Sequence, residues 1–217
     1  MPDSIENNVA TIRAQLKQRR AAQDPVDMRR GALLIRGRLF TWLATYRQSR
    51  LDAGLPAPRH IAAFWPLSTE PDLSPLLEQW IEEDDLTISL PVVDRDDGVL
   101  SFRLWTPDTP MQTGAFGIQE PQGPPAPPPD VILVPTLGFT RQGDRLGYGK
   151  GHYDRTLADL KARGHDFVSL GIAWACGDLS GQSYTPAPHD VPLDAILTDK
   201  GWPVSAPSGR STGGCHL

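Results

Sequence analysis

A glycine-rich, basic segment at residues 143–155 constrains the fold of this chain more than any other part of the sequence. Glycines at positions 147, 149 and 151 alternate with larger residues, and Arg145 and Lys150 add fixed charge. Glycine lets backbone N–H groups turn toward an anion without a Cβ in the way, while Arg and Lys supply charge to phosphate oxygens. Because an apolar run at residues 131–134 precedes it, the segment predicts a phosphate-binding loop after a strand.

This loop matches neither of the two common phosphate-binding glycine patterns. The Walker spacing fails because Asp144 stands where its first glycine should be, and because Gly151 follows Lys150. The dinucleotide fingerprint fails because the glycines are spaced two and two. On the pattern alone, a mobile surface loop without a ligand remains an alternative interpretation.

Hydrophobic periodicity and capping signals predict four helices. Apolar residues recur at helical spacing near the N-terminus, at Ile5, Val9, Ile12 and Leu16. Asp24 followed by Pro25 is typical of an N-cap with proline at the first helical position, and it opens a second helix that runs to about Arg50. Further helices are predicted from Ser74 and over residues 153–163.

Apolar runs between these helices predict the strands. The expected strands are residues 60–65, 86–93, 99–105, 131–134, 167–174 and 195–198. In the third of them Leu100, Phe102 and Leu104 alternate with Ser101 and Arg103, which predicts one covered and one solvent-facing side.

Alternation of strands and helices predicts a three-layer α/β fold, with a mainly parallel sheet, helices on both faces and the N-terminal helices packed on it. We expect one domain over residues 1–204. Residues 121–129 contain six prolines and predict a stiff, extended surface connection. Residues 205–217, which are rich in Pro, Ser, Gly and Thr, predict a disordered tail.

Composition excludes several classes of protein. A net charge of −5 over 217 residues argues against a nucleic-acid partner, and no apolar stretch approaches the length of a membrane span. The polar N-terminus does not resemble a signal peptide, and Cys176 and Cys215 are too few for a disulfide framework. We therefore expect a cytoplasmic protein with no membrane partner, acting as a monomer or weak homo-oligomer.

The glycine loop and several shorter motifs together resemble the 5-formyltetrahydrofolate cyclo-ligase family. These motifs occur in the family's order over roughly residues 10 to 200. They are residues 64–66 and 70–72, 90–93, 117–121, 135–139, 143 with 145–154, and 189–190 with Asp194.

That resemblance implies an ATP- and Mg²⁺-dependent ligase. Such an enzyme converts 5-formyltetrahydrofolate to 5,10-methenyltetrahydrofolate, through an N5-iminophosphate, with release of ADP and phosphate. It implies catalytic roles for Arg145 and Lys150, which would neutralise charge on the phosphates. It also implies ATP contacts from Arg13, Arg145, Gly147, Gly149, Lys150, Gly151, His152 and Tyr153. We expect His152 to be a polar wall of that site, not a general base.

Asp154 and Asp190 match the magnesium carboxylates of the family, and one or two carboxylates plus phosphate oxygens suit Mg²⁺. An N-cap role for Asp154 and a turn role for Asp190 are equally simple interpretations. Glu70 matches the glutamate that contacts the folate, where a carboxylate can accept two hydrogen bonds from a pterin. The substrate contacts implied beside it are Trp65, Phe116 and Tyr148, although aromatic residues next to strands are more often core.

One departure from the family pattern concerns ATP. Arg13 matches a family arginine, but Val9 occupies the position of a family lysine. Losing one charge-assisted phosphate contact weakens binding about tenfold to a hundredfold. Arg13 on a solvated helix face is the alternative.

Three other functions stay open on the sequence. A catalytically weak folate-binding or regulatory relative would keep Glu70, and Val9 favours it. A sugar-phosphate isomerase or transferase would use the same loop without ATP. A nucleotide-binding interaction module would need neither folate nor turnover.

Overall fold

A largely parallel sheet forms the centre of the molecule in the computed structural model, which describes residues 2–83 and 85–209, with side chains from Asn8 onward. The strands are β1 (His60–Ala62), β2 (Thr87–Val92), β3 (Ser101–Leu104), β4 (Met111–Thr113), β5 (Gln119–Pro121), β6 (Val131–Pro135), β7 (Gly138–Phe139), β8 (Arg145–Leu146), β9 (Val168–Ala173), β10 (Ala195–Thr198) and β11 (Gly201–Val204). The helices are α1 (Pro2–Ala21), α2 (Pro25–Asp52), α3 (Ser74–Glu82) and α4 (His152–Ala162).

The four predicted helices are confirmed, with boundaries close to those expected. Asp24 caps α2, since its carboxylate accepts hydrogen bonds from the Val26 and Asp27 amides at 2.7 and 3.3 Å, and Pro25 occupies the first turn. Ile12 and Leu16 of α1 are buried, whereas the Ile5 side chain lies outside the described residues.

The described central sheet has the strand order β11-β10-β9-β6-β1-β2-β3. The strands from β10 to β2 run parallel, and β3 and β11 pair antiparallel at the two edges. Strand β11 was not predicted, because Gly201, Trp202 and Pro203 suggest a turn more than a strand. A proline is tolerated at a sheet edge, where its missing N–H costs no ladder bond.

Helices cover both faces of this sheet, as the sequence predicts. Side chains of β6 alternate between them: Val131 and Leu133 pack in the cluster that includes α2 and α3, and Ile132 and Val134 pack in the cluster that includes α4. Helix α1 lies apart from these layers, against the loops that follow β6 and β9.

The chain reverses its direction of travel across the sheet between β1 and β6. From β1 it moves outward through β2 and β3, and from β6 it moves the opposite way through β9 and β10. Such a switch point opens a crevice at the carboxyl ends of the two strands. Both loops at this crevice carry predicted site residues: Glu70 follows β1, and the glycine loop follows β6.

Strand β3 departs from the sequence expectation, and the proline-rich segment lies along it. Residues 101–104 are all half-buried instead of alternating, and β3 is an edge strand of the sheet. The proline-rich segment is mostly irregular, but Pro124 accepts the Leu104 amide and Ala126 donates to Phe102. The segment is therefore fixed along β3, and residues 122, 124, 125, 127 and 128 of this predicted surface connection are exposed.

Residues 205–209, the start of the predicted disordered tail, lie against α2. The Trp42 indole N–H donates to the Pro207 carbonyl at 3.1 Å, and Ala206 packs against the core. The rest of that tail, residues 210–217, lies outside the described residues. No helix in the described part of the chain is both long enough and apolar enough to span a bilayer.

Candidate functional site

The glycine loop links the short β7–β8 hairpin to the start of α4. Gly149 and Gly151 have φ of +94° and +68°, which is left-handed backbone that residues with a Cβ rarely adopt. Gly151 is the N-cap of α4, and no side chain caps the first amides of that helix. Unpaired amides and the helix dipole both favour an anion at this point. The N-cap interpretation of Asp154 is therefore wrong, since it lies inside the first turn.

A stripe of cations on α1 faces this loop. The Arg13 Nε donates to the Gly147 carbonyl at 3.1 Å, so Arg13 is not on a solvated helix face. Lys17 Nζ lies 5.6 Å from the centre of the Tyr148 ring, and Arg20 Nη1 donates to the Tyr148 hydroxyl at 2.6 Å. The three cations are spaced four and three residues apart, which places them on one face of the helix.

Tyr148 connects the glycine loop to Glu70 across the crevice. Its hydroxyl donates to Glu70 Oε1 at 2.7 Å, and the Leu67 amide donates to Oε2 at 2.9 Å. Arg20 lies 3.8 Å from the same carboxylate, and the Arg20 and Glu70 side chains are only 3% and 4% exposed. Both oxygens of Glu70 therefore have partners, and Tyr148 must move before another donor can take its place.

Burial dominates the electrostatics of these groups. It raises the pKa of the Glu70 carboxyl above its ordinary value, and the Leu67 amide, the Tyr148 hydroxyl and the Arg20 cation each oppose that rise. Burial, followed by the nearby Glu70 charge, raises the pKa of Tyr148. The phenol therefore keeps its proton at neutral pH and acts as the donor to Glu70.

Arg145 turns inward, toward Asp154. Its Nη2 donates to Asp154 Oδ2 at 2.8 Å, with side-chain exposures of 6% and 11%. The guanidinium lies 5.7 Å from the Tyr153 ring centre, and a Cβ on Gly147 would collide with it. A side chain at 147 would therefore displace the Arg145 guanidinium from its place beside Asp154.

Asp154 and Asp190 lie on neighbouring segments. Asp154 Oδ1 accepts the Val191 amide at 3.3 Å, and Asp190 Oδ2 accepts the Ala187 amide at 2.8 Å, as in the predicted turn role. Within the described residues, no three His, Cys, Asp or Glu side chains are grouped to hold a metal ion. This donor set does not form an all-protein site, so a Mg²⁺ ion here would take its other ligands from phosphate and water, and its coordination by Asp154 and Asp190 stays a prediction.

Lys150 lies at the exposed rim of the loop. Its Nζ is 4.9 Å from the ring centre of Phe116, which is 61% exposed and has a φ of +60°. Arg155 donates to the Lys150 carbonyl at 2.7 Å and so fixes the backbone beneath the amine. The His152 Nδ1 lies 2.8 Å from the Gly98 carbonyl, which fits a wall residue.

Trp65 lies on the core side of the crevice. It is half-buried against the main hydrophobic cluster and makes an edge-to-face contact with Trp105, with ring centres 6.1 Å apart. Phe116 instead faces His152, at 5.9 Å between ring centres. The substrate contacts that the resemblance implies for Trp65 and Phe116 stay predictions.

Sequence reasoning missed Arg20 and Lys17. A signal was present, because Arg13, Lys17 and Arg20 share one helical face that is flanked by the buried Ile12 and Leu16. Charged residues on a helix are usually solvated, so the spacing acquires meaning only once α1 is placed against the glycine loop.

A parallel sheet covered on both faces, with a glycine loop at its switch point, places this chain among the α/β proteins whose ligand crevice lies at the strand carboxyl ends. The chain belongs to the 5-formyltetrahydrofolate cyclo-ligase family, whose model matches residues 5–199. The resemblance of the sequence motifs is thereby confirmed.

Two curated relatives bear the same family name. The 5-formyltetrahydrofolate cyclo-ligase of Mycolicibacterium smegmatis is 34% identical over 151 residues, which cover 65% of this chain and 74% of that protein. The Haemophilus influenzae cyclo-ligase is 38% identical over 104 residues, or 45% of this chain. The match spans about half, 53%, of the length of that relative.

Solved structures support the fold. An NMR structure of Aquifex aeolicus 5,10-methenyltetrahydrofolate synthetase has a TM-score of 0.73 at 25% identity and covers 96% of this chain and 97% of its own. A 5,10-methenyltetrahydrofolate synthetase from Mycoplasma pneumoniae has a TM-score of 0.65 at 22% identity, covering 88% and 99%. The predicted α/β class, with a mainly parallel sheet, is confirmed.

Proposed function

We propose that this protein is a 5-formyltetrahydrofolate cyclo-ligase that converts 5-formyltetrahydrofolate and ATP into 5,10-methenyltetrahydrofolate, ADP and phosphate. Family membership supports the reaction class. The observation that carries the assignment to this crevice is the hydrogen bond from Tyr148 to Glu70. It joins the phosphate loop to the carboxylate proposed for the folate, so that both substrates meet at one switch point.

In the proposed reaction, the formyl oxygen attacks the γ-phosphorus of ATP while the bond between that phosphorus and the bridging oxygen breaks, releasing ADP. N10 then closes on the activated formyl carbon of the N5-iminophosphate. The carbon–oxygen bond breaks, phosphate leaves, and N10 gives up its proton. The tasks left to the protein are alignment and charge neutralisation.

The cations divide these tasks between them. Lys150, whose amine is exposed at the rim, is proposed to reach the phosphates directly, while the loop amides and the start of α4 hold them. Arg145 is proposed to act indirectly, because its guanidinium is buried and donates a hydrogen bond that holds the Asp154 carboxylate in place. Mg²⁺, held by Asp154 and Asp190 together with phosphate oxygens, would neutralise nucleotide charge.

Arg13 and Lys17 supply charge that the family lysine would otherwise bring. Val9 is part of an apolar contact with the cluster of Ile12 and Leu16, so it does not face the phosphates as a cation would. Arg13 already contacts the loop backbone at Gly147. This arrangement weakens the case for a catalytically weak folate-binding or regulatory relative.

Formation of the methenyl chromophore tests the proposal. Purified protein is mixed with 5-formyltetrahydrofolate, with and without MgATP, and ADP is measured in parallel. We expect the chromophore only with MgATP, and one ADP for each methenyl product. Folate binding without turnover would point to a regulatory relative. Binding of a sugar phosphate without folate binding would support an isomerase or transferase, and nucleotide binding alone an interaction module.

A cytoplasmic location, and a monomeric or weakly associating state, stay predictions from the sequence. Gel filtration at micromolar protein concentration measures the second directly.

A further inference from the structure

Arg20 is a buried cation at the centre of the crevice, and the sequence analysis predicts no role for it. Its Nη2 donates to the Thr136 carbonyl at 2.7 Å, directly after β6, and its Nη1 donates to the Tyr148 hydroxyl at 2.6 Å. The same Nη1 lies 3.8 Å from Glu70 Oε1. One guanidinium therefore connects α1, the end of β6, the glycine loop and the loop after β1.

A buried charge of this kind is costly unless it is paired and hydrogen-bonded. Arg20 meets both conditions through two short hydrogen bonds and the nearby Glu70 carboxylate. A planar guanidinium serves two acceptors at a fixed angle, which a lysine amine does not reproduce. Anchoring at Thr136 keeps the cation in place when other partners move.

We propose that Arg20 is the positioning residue for Glu70, holding that carboxylate ionised and correctly oriented for the pterin of the folate substrate. This inference rests on the proposed function. Arg20 itself makes no contact with the substrate in this scheme, and it acts through Glu70. When the pterin displaces the Tyr148 hydroxyl, the direct attraction between Arg20 and Glu70 remains.

The titratable groups that face Glu70 come from three elements: Arg20 from α1, Tyr148 from the glycine loop and Tyr153 from α4. Both tyrosines are neutral near pH 7 because burial raises the pKa of each. The Leu67 amide opposes the effect of burial on the pKa of Glu70 most, the Tyr148 hydroxyl follows, and Arg20 is the cation that opposes it as well. Without it, Glu70 would take up a proton at a higher pH and lose one acceptor for the pterin.

The test measures equilibrium binding of 5-formyltetrahydrofolate between pH 5 and pH 9 in the absence of ATP, so that no turnover intervenes. Arg20→Gln removes the charge but keeps a donor for the Thr136 carbonyl, and Arg20→Lys keeps the charge. Arg19→Gln is the matched control, because Arg19 is the exposed neighbour on the same helix turn. A thermal melt of each variant confirms folding.

For Arg20→Gln we expect folate binding to weaken about tenfold or more at pH 7, the range for losing a charged hydrogen-bond partner. Its loss of binding on acidification should begin at a higher pH than in the wild type. The Michaelis constant for ATP should change by less than about threefold, the size of an ordinary surface effect. Arg20→Lys should keep the wild-type pH dependence, and Arg19→Gln should match the wild type throughout.

An unchanged pH dependence in folded Arg20→Gln would overturn the inference, because a purely structural arginine would not move it. Should Arg20→Gln fail to fold, Arg20→Met takes its place, because it also removes the charge: an unchanged pH dependence in folded Arg20→Met would overturn the inference. Absence of folate binding by the wild-type protein would overturn the proposed function, and the inference with it. Normal wild-type binding with no effect of Arg20 would overturn the inference alone.

Discussion

The buried ion pair between Arg145 and Asp154 predicts a large stability difference from a matched pair on the same helix. Asp154→Asn removes the charge that faces the Arg145 guanidinium at 2.8 Å, where the Asp154 and Arg145 side chains are 11% and 6% exposed. Asp159→Asn removes the charge that faces Arg163 at 3.0 Å, where the Asp159 and Arg163 side chains are 28% and 61% exposed. Both substitutions lie on α4 and change the same atoms.

Breaking a buried pair by removing one partner costs about 3–5 kcal/mol, because the remaining charge is left buried. Asn keeps an acceptor for Arg145, so we expect Asp154→Asn to cost about 3 kcal/mol, at the lower end of that range. For a chain of this size, this corresponds to a fall in melting temperature of roughly 6–12 °C. The exposed Asp159 pair should contribute only about 0.3–0.5 kcal/mol.

Urea denaturation with EDTA present measures both free energies of unfolding without a contribution from bound metal. Equal values for the two variants, within about 0.5 kcal/mol, would refute the structural role of the Asp154 charge. A magnesium titration of activity completes the assay. If Asp154 also holds Mg²⁺, Asp154→Asn should raise the magnesium concentration needed for half-maximal rate, whereas Asp159→Asn should leave it unchanged.

Three further outcomes are expected. Lys150→Met should raise the Michaelis constant for ATP about tenfold or more while folate binding is retained. The control is Lys161→Met, which changes an exposed lysine at the end of α4 and should behave as wild type. Wild-type kinetics for both variants would rule out a phosphate-binding role for Lys150. Burial lowers the pKa of His60, so on acidification the unfolded chain takes up a proton before the folded chain does. The free energy of unfolding should therefore fall as the pH drops below about 6.5, and it should fall less steeply in His60→Gln. Equal slopes of that free energy against pH in the two proteins, measured by urea unfolding, would contradict this. Deleting residues 210–217 should leave the melting temperature unchanged, whereas also deleting residues 205–209 should lower it because their contacts with α2 are lost.

The parts of the fold that follow from local chemistry were predictable from the sequence. Asp24 and Pro25 define the start of α2 through bonds that lie within four residues. The continuous apolar run of β6 follows from burial on both faces of a parallel sheet. These signals need no knowledge of distant partners.

The parts that depend on long-range contact were not predictable. Arg20 and Tyr148 are 128 residues apart in the chain, and neither carries a sequence mark of the other. The orientation of the Arg145 side chain toward Asp154 also depends on the surrounding structure, because an arginine in an exposed loop would face solvent. The β7–β8 hairpin has two residues in each strand, too few to show a period of alternation.

The burial of Glu70 constrains how the crevice can work. With 4% of its side chain exposed, Glu70 cannot accept hydrogen bonds from a pterin until Tyr148 moves. Tyr148 lies between Gly147 and Gly149, so its displacement moves the same backbone that is proposed to hold the nucleotide phosphates. A substrate that stabilises one arrangement of this loop should therefore change the affinity of the protein for the other substrate. By thermodynamic linkage, that effect is the same in both directions. The two proposed substrate sites therefore share the loop that carries Tyr148, and the expected coupling needs no contact between the substrates.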